Sequence, residues 1–325
     1  MNSSEQASPS HADTAVAVDV LMLAYNVEPF VAEAIEGVLA QRTTFPVRLI
    51  IAEDHATDGT LAICQRYADR HPDKVVVVPG GRNLGIPGRY AESIPLCTAK
   101  YIAMCDSDDR WCDPYKLAKQ VAFLESHPDH GMCYTDVHLI DRQGQRIVDD
   151  GYDGLRALYA SGDVFLRLLQ ANFINNSTIV ARRALLADHV VDPERGHSAD
   201  HFLWLHVAAR SLGEYLPERT SEYRTGGITS SASFETVAQR KMKQRLGAIL
   251  LDYVRQRPVP QHERPVIARK VIGVLARGGT PLRVKAALVA NAARYLPGGI
   301  AGWRATFLKP DNLRGPQQGA EKPIP

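Results

Sequence analysis

Asp106-Ser107-Asp108-Asp109 follows directly on the apolar run Tyr101-Ile102-Ala103-Met104-Cys105. In extended chain alternate side chains point the same way, so Asp106 and Asp108 project together. Carboxylates this close repel one another unless a cation or a donor compensates. A hard divalent ion bridging carboxylate and substrate phosphate answers that need. A solvated acidic turn leading into Asp113-Pro114 is the plainer alternative. A second acidic pair, Glu53-Asp54, ends another apolar run, where it can accept from the N–H of a base. Asp58, a few residues on, is placed to cap the following helix. Ala24-Tyr25-Asn26 ends the first apolar run, and Tyr25 offers either a ring for a base or a core side chain.

The elements that must position these residues alternate in type. Val18 to Ala24, Val47 to Ala52, Lys74 to Val78 and Tyr101 to Cys105 read as strands. Glu28 to Gln41, Asp58 to Tyr67 and Arg89 to Cys97 read as helices by their apolar spacing. Near-continuous apolar strands alternating with helices predict a parallel sheet covered on both faces. Ligands of such sheets bind beyond the carboxyl ends of the strands, where every acidic group above lies. Beyond this, Pro114 to Ser126, Asp163 to Gln170 and Ser198 to Ser211 read as helices. Gly131 to Ile140 reads as a strand closed by the turn Arg142 to Gln145, and Phe173 to Val180 as another strand. This second part extends the same sheet in mixed orientation.

Charge divides the chain more sharply than the net value of +2 suggests. Residues 1–237 hold 21 basic and 32 acidic side chains, whereas residues 238–325 hold 17 and 4. The expected organisation is a disordered leader over 1–17, a catalytic domain over 18–236, a basic helical extension over 237–309 and a disordered tail over 310–325. Basic residues interleaved with apolar clusters suit either peripheral contact with an anionic membrane or packing on the catalytic domain. No nucleic-acid motif accompanies them, and an acidic catalytic half argues against that partner. The leader carries no apolar stretch and no run of about 18 apolar residues occurs, so a cytoplasmic protein is expected. The five cysteines form no C-x-x-C pair and read as small buried hydrophobes.

Taken in order, these segments resemble family 2 glycosyltransferases, enzymes of the GT-A fold. That family's usual pattern is a strand ending in Tyr-Asn, then Asp-Asp-x-Ser-x-Asp-Gly-Thr, an Asn-x-Gly loop, and Asp-x-Asp-Asp. The chain supplies Tyr25-Asn26, Glu53 to Thr60, Asn83-Leu84-Gly85 and Asp106 to Asp109, with Trp111, Pro114, Lys116-Leu117 and Gln120 following. The match runs from about Asp19 to Ser231. Glu53 replaces the usual first Asp, and His55-Ala56 the usual Gly-Ser.

The resemblance implies roles. Ala24, Tyr25 and Glu28 would line the nucleotide site, with Tyr25 stacked on a pyrimidine and Asp54 accepting from its ring N–H. Arg89 would approach the diphosphate, Asp106 the ribose, and Asp108 would bind the metal, Mn2+ or Mg2+. Asp200 occupies the position of the family's late catalytic carboxylate, although Ala199 replaces the usual Glu before it. Asp200 also reads as a carboxylate favoured at a helix start. His197 and His201 are competing bases. Glu222-Tyr223-Arg224 resembles the family's Tyr-Arg segment, with Arg224 as partner of the leaving group. The implied reaction moves a sugar from a nucleoside diphosphate, by preference UDP, to a saccharide or lipid-linked saccharide hydroxyl with inversion. A sugar nucleotidyltransferase would need a Gly-rich loop and a lysine near the first strand, which Ala24 to Glu28 lacks. A catalytically inactive nucleotide-sugar-binding scaffold would have no need of Asp106, Asp108 and Asp200 together.

Overall fold

Val18–Ala24, the first strand (β1), is apolar except for Asp19 and is covered on both faces, as a central strand must be. The computed structural model describes residues 17–148, 150–186 and 199–225. The chain divides into two units, Met1–Phe234 and Glu235–Pro325. The expected basic extension and tail lie outside the described residues, as does all but the last residue of the expected leader.

After β1 come α1 (Val31–Leu39), β2 (Val47–Glu53), α2 (Thr60–Arg70), β3 (Val75–Val78), α3 (Gly85–Ser93) and β4 (Tyr101–Met104). Strands β3, β2, β1 and β4 lie side by side in that order, all parallel. The second part supplies β5 (Arg110–Trp111), α4 (Lys116–Ser126), β6 (His130–Ile140), β7 (Arg146–Ile147), α5 (Asp150–Arg156), α6 (Phe165–Gln170), β8 (Val180–Arg182), α7 (Ala199–Ala208) and β9 (Leu212–Arg224). Here β8 joins β4 antiparallel, β6 joins β8 antiparallel, β9 runs parallel to β6, and β5 closes the edge. This is the expected mixed extension. The strand order reverses between β2-β1 and β1-β4, which opens the crevice at the carboxyl ends.

Two expectations are corrected, and one strand is added. Helix α3 starts at Gly85 rather than Arg89, because Gly85 takes φ +67° and Asp54 receives the first N–H groups. Phe173 to Val180 is mostly irregular, with a 3-10 turn at Asn176–Thr178 capped by the Asn175 side chain and a strand from Val180 only. Strand β9 had no sequence reading, since Pro217 and the polar run around it break any alternation; two register shifts accommodate them.

Helix α1 lies close against β5 at Gly37, where a Cβ would come within 2.8 Å of the Trp111 backbone nitrogen. At the amino ends of the strands, buried Asp19 accepts from Arg48 at 2.8 and 2.9 Å and from the N–H groups of Thr98 and Ala99 at 2.6 and 2.9 Å. Among the described residues no helix is long and apolar enough to cross a membrane. Asp19→Ala leaves two backbone donors without their acceptor, so a loss of about 2 kcal/mol is expected in urea unfolding.

Candidate active site

Each acidic segment reaches the carboxyl rim by ending a strand, and the loops after the strands brace one another. Ala24 closes β1 with its side chain buried and its carbonyl accepting from the Asp54 N–H at 2.9 Å. Tyr25 follows, 39% exposed, with its ring open to a ligand. Asn26 stands at φ 51° and His55 at φ 61°, left-handed conformations that cost a non-glycine residue about 1 kcal/mol each. His55 occupies the place where the resemblance expects glycine, and the backbone there explains that preference. The Asn26 side chain accepts from Thr57 N–H at 2.8 Å, which ties the two loops together.

Glu28 belongs to the same brace. Its Oε2 accepts from Gly59 N–H at 2.7 Å and its own N–H donates to Asp58 Oδ2 at 3.1 Å. Glu28 thereby holds together the loops after β1 and β2, at the rim where the sequence placed it. Asp58 also accepts from Thr60 N–H at 3.0 Å, the anticipated capping bond, although Gly59 is the cap residue itself.

Asp54 is buried and accepts from Leu84 N–H at 2.9 Å and Gly85 N–H at 2.8 Å, the start of α3. Each carboxylate oxygen has a further lone pair for a ligand donor. Arg89 lies behind it: its Nη2 donates to the Val78 carbonyl at 2.7 Å and its Nη1 to Glu92 at 2.9 Å. Nε stands 3.9 Å from Asp54 Oδ1 and, although buried, has no hydrogen-bond partner. Arg89 is thus beside Asp54, the carboxylate at the end of β2.

The acidic loop is gripped from three directions. Asp106 accepts from Asn176 Nδ2 at 2.6 Å and donates its N–H to Ser177 Oγ at 3.0 Å. The Ser177 hydroxyl donates to Asp109 Oδ2 at 2.6 Å, and the Arg224 N–H to Asp109 Oδ1 at 2.9 Å. Asn176 also donates to the Tyr90 hydroxyl of α3 at 3.0 Å, while its Oδ1, buried, lacks a partner. Burial and the charge of Asp108 push Asp106 up to about 7, and burial with the Asp108 charge pushes Asp109 well above the carboxylate range. Asn176, Ser177 and Tyr90 had escaped notice in the sequence. The signal for Asn176 and Ser177 is the polar run Asn175-Asn176-Ser177-Thr178 set among apolar residues, and Tyr90 has none.

Arg224 requires a correction. Its side chain is 1% exposed and donates to the carbonyls of Asp108 at 2.8 Å, Asp141 at 3.0 Å and Arg142 at 3.1 Å, and to Glu33 at 3.0 Å. The guanidinium also sits 4.5 Å from the Phe30 ring centre. A group held so completely is a strut for the acidic loop, not a partner for a leaving group.

Asp200 stands in the first turn of α7 and accepts from Asn172 Nδ2 at 3.0 Å. Burial raises its pKa, against the lowering effect of that bond. Its charge is felt by Asp106 and by Tyr90, which brings it to the same rim as the acidic loop. His201 places Nε2 2.7 Å from the Leu168 carbonyl, which engages that nitrogen as a donor; His197 lies outside the described residues.

Among the described residues no three metal-ligating side chains form a cage. The donor set still suits a hard cation. A cation held by one carboxylate and completed by phosphate oxygens and water needs no such cage. The mutual repulsion that raises Asp106 and Asp109 is an electrostatic deficit that a divalent charge would offset.

The profile described as Glycosyl transferase family 2 matches residues 19–186, just over half of the chain. The chain belongs to glycosyl transferase family 2. An uncharacterized protein of Mycobacterium tuberculosis is 33% identical over 220 residues, which is 66% of this chain and 61% of that one. The chain thus matches less than two thirds of that relative's length. The amylovoran biosynthesis glycosyltransferase AmsE of Erwinia amylovora is 26% identical over 64% of this chain and 76% of its own. The fold is that of S. aureus TarS residues 1–349, solved in complex with UDP-GlcNAc, at a TM-score of 0.61 and 16% identity, covering 86% and 80% of the two chains. The GT-A architecture expected from the motifs is therefore the one observed.

Because Asp106 is raised in the folded state, it holds a proton between its unfolded value near 4 and about 7. Its contribution to stability is present below that window and fades as pH rises through about 7. Asp106→Asn removes this term, so the variant's melting temperature should decline less than wild type's between about pH 5 and pH 8 in metal-free buffer. Mn2+ should stabilise the wild-type chain more near pH 8 than near pH 5.5, as scanning calorimetry would read.

Proposed function

We propose that the chain is an inverting glycosyltransferase that uses a pyrimidine nucleoside diphosphate sugar, UDP by preference, and a divalent metal. The carrying observation is the joint placement of Asp54, the Asp106–Asp109 loop and Asp200 around α3 and Asn176 at one rim of the sheet. A sensor of free nucleotide would not require the third of these. The names of AmsE and of the UDP-GlcNAc complex of TarS agree with a donor of this class and an acceptor in surface polysaccharide assembly.

In this reading the base stacks on Tyr25 and donates its ring N–H to Asp54. The unpaired Nε of Arg89 takes a ligand oxygen there, which satisfies a buried donor otherwise left without a partner. The unpaired Oδ1 of Asn176 accepts from a ribose hydroxyl beside Asp106. Asp108 would hold Mn2+ or Mg2+, which would supply neutralising charge for the departing diphosphate. Asn172 fixes one oxygen of Asp200, which orients the carboxylate. Asp200 removes the acceptor hydroxyl's proton as its oxygen attacks the anomeric carbon, and the bond to the diphosphate breaks on the opposite face. A raised pKa makes Asp200 the stronger base once ionised.

The acceptor is a saccharide or lipid-linked saccharide at the cytoplasmic face of a membrane, with residues 237–309 as the peripheral contact. That segment lies outside the described residues. A liposome flotation assay with and without residues 238–325 tests it, and equal partitioning removes the membrane contact.

Donor binding and turnover separate in two variants. Asp108→Ala should abolish the thermal stabilisation that UDP-sugars give in Mn2+. Asp200→Asn should retain that stabilisation and lose about 10²–10⁴-fold in UDP release. In wild type, the rate of release should rise with pH through the elevated Asp200 pKa. Donor binding without turnover over a full donor and acceptor panel would favour the scaffold reading.

A further inference from the structure

A strip of aromatic rings runs between the acidic loop and Asp200, and no step above uses it. It starts at Tyr223 on β9, next to Arg224, whose backbone N–H holds Asp109. The Tyr223 ring lies 6.2 Å from that of Tyr152 on α5. Tyr152 and Tyr159 meet through their hydroxyls at 3.4 Å. The Tyr159 ring then lies 4.8 Å from Tyr215, 5.9 Å from Tyr134 and 6.0 Å from Phe173. Phe173 directly follows Asn172, the residue that holds Asp200.

The strip is layered. Tyr134 and Phe173 are fully buried and form its floor, with the Tyr134 hydroxyl fixed by the carbonyl and N–H of Ala160. Tyr152, Tyr159, Tyr215 and Tyr223 are only partly buried. Aromatic faces are electron-rich, so they attract the weakly positive C–H hydrogens on the apolar face of a pyranose ring. Tyrosines also add phenol hydroxyls for sugar hydroxyls and lose little conformational freedom on contact. The strip begins one residue from the strut of the acidic loop and ends one residue from the residue that positions the base. An acceptor lying along it would carry a hydroxyl to the ground between the two.

We propose that Tyr152, Tyr159, Tyr215 and Tyr223 form the acceptor subsite, stacking on the rings of a saccharide chain whose hydroxyl is presented to Asp200. This rests on the reading of the chain as a glycosyltransferase with Asp200 as base. The same rings also pack α5 onto the sheet, so the test must separate stacking from packing.

Saturation-transfer NMR on the full chain with UDP and Mn2+ would use chitotetraose, cellotetraose and a hyaluronan tetrasaccharide as probes. At least one should receive magnetisation from the tyrosine protons. Tyr152→Leu and Tyr215→Leu, which keep apolar volume and remove the ring face, should weaken that probe about three- to tenfold. Tyr152→Phe should bind it as wild type does. UDP binding and the melting temperature, followed alongside, should be unchanged in Tyr152→Phe, and UDP binding unchanged in all three. Silence from every probe while UDP binds would overturn the subsite and leave the donor reading standing, as would leucine variants that bind the probe like wild type. Loss of UDP binding by the wild type would overturn the donor reading instead, and saccharide contact seen there would still support the subsite.

Discussion

Three carboxylates, Asp106, Asp108 and Asp109, are held next to one another in a place largely removed from water, and the fold has to sustain that repulsion. Among the described residues, fixed donors hold Asp106 and Asp109. Asn176 grips Asp106, the Ser177 hydroxyl grips Asp109, and a backbone N–H at Arg224 completes the hold. Ser177 carries further weight, since its carbonyl accepts from Trp111 Nε1 at 2.7 Å and from Ser221 Oγ at 2.9 Å. One short polar turn thereby fastens the acidic loop to β5 and β9. Such an arrangement is expensive without a counter-charge and well suited to receive one.

The same economy governs the nucleotide side. Two loops, after β1 and after β2, are fastened to each other through Asn26, Glu28, Asp58 and Thr60. Two residues in left-handed backbone, Asn26 and His55, lie in those loops. Strain that persists in two adjacent loops at a ligand rim is held there by the cross-braces, in keeping with a surface that must keep its shape before the ligand arrives.

Much of this was legible in the sequence because the parallel half obeys local rules. Its strands are short apolar runs, its acidic groups end them, and its turn residues follow. The family pattern then ordered the motifs. What could not be read was made by distant pairing. Strand β9 has too little alternation to be seen and exists because β6 offers it an edge. Arg224 looked like a ligand group since a conspicuous arginine beside motifs invites that reading, yet three backbone carbonyls absorb it. Asn176 and Ser177 sit in a turn whose importance lies in distant partners, among them Asp106 and Asp109, 70 and 68 residues earlier.

The bond from the Arg224 backbone to Asp109 joins residues 115 positions apart. Closing so large a loop is entropically costly and has no local contacts to guide it. On a ribosome the acidic loop would emerge long before the backbone donor that clamps it. A chain cut short before Arg224 would keep the acidic motif yet lack the backbone donor that holds Asp109.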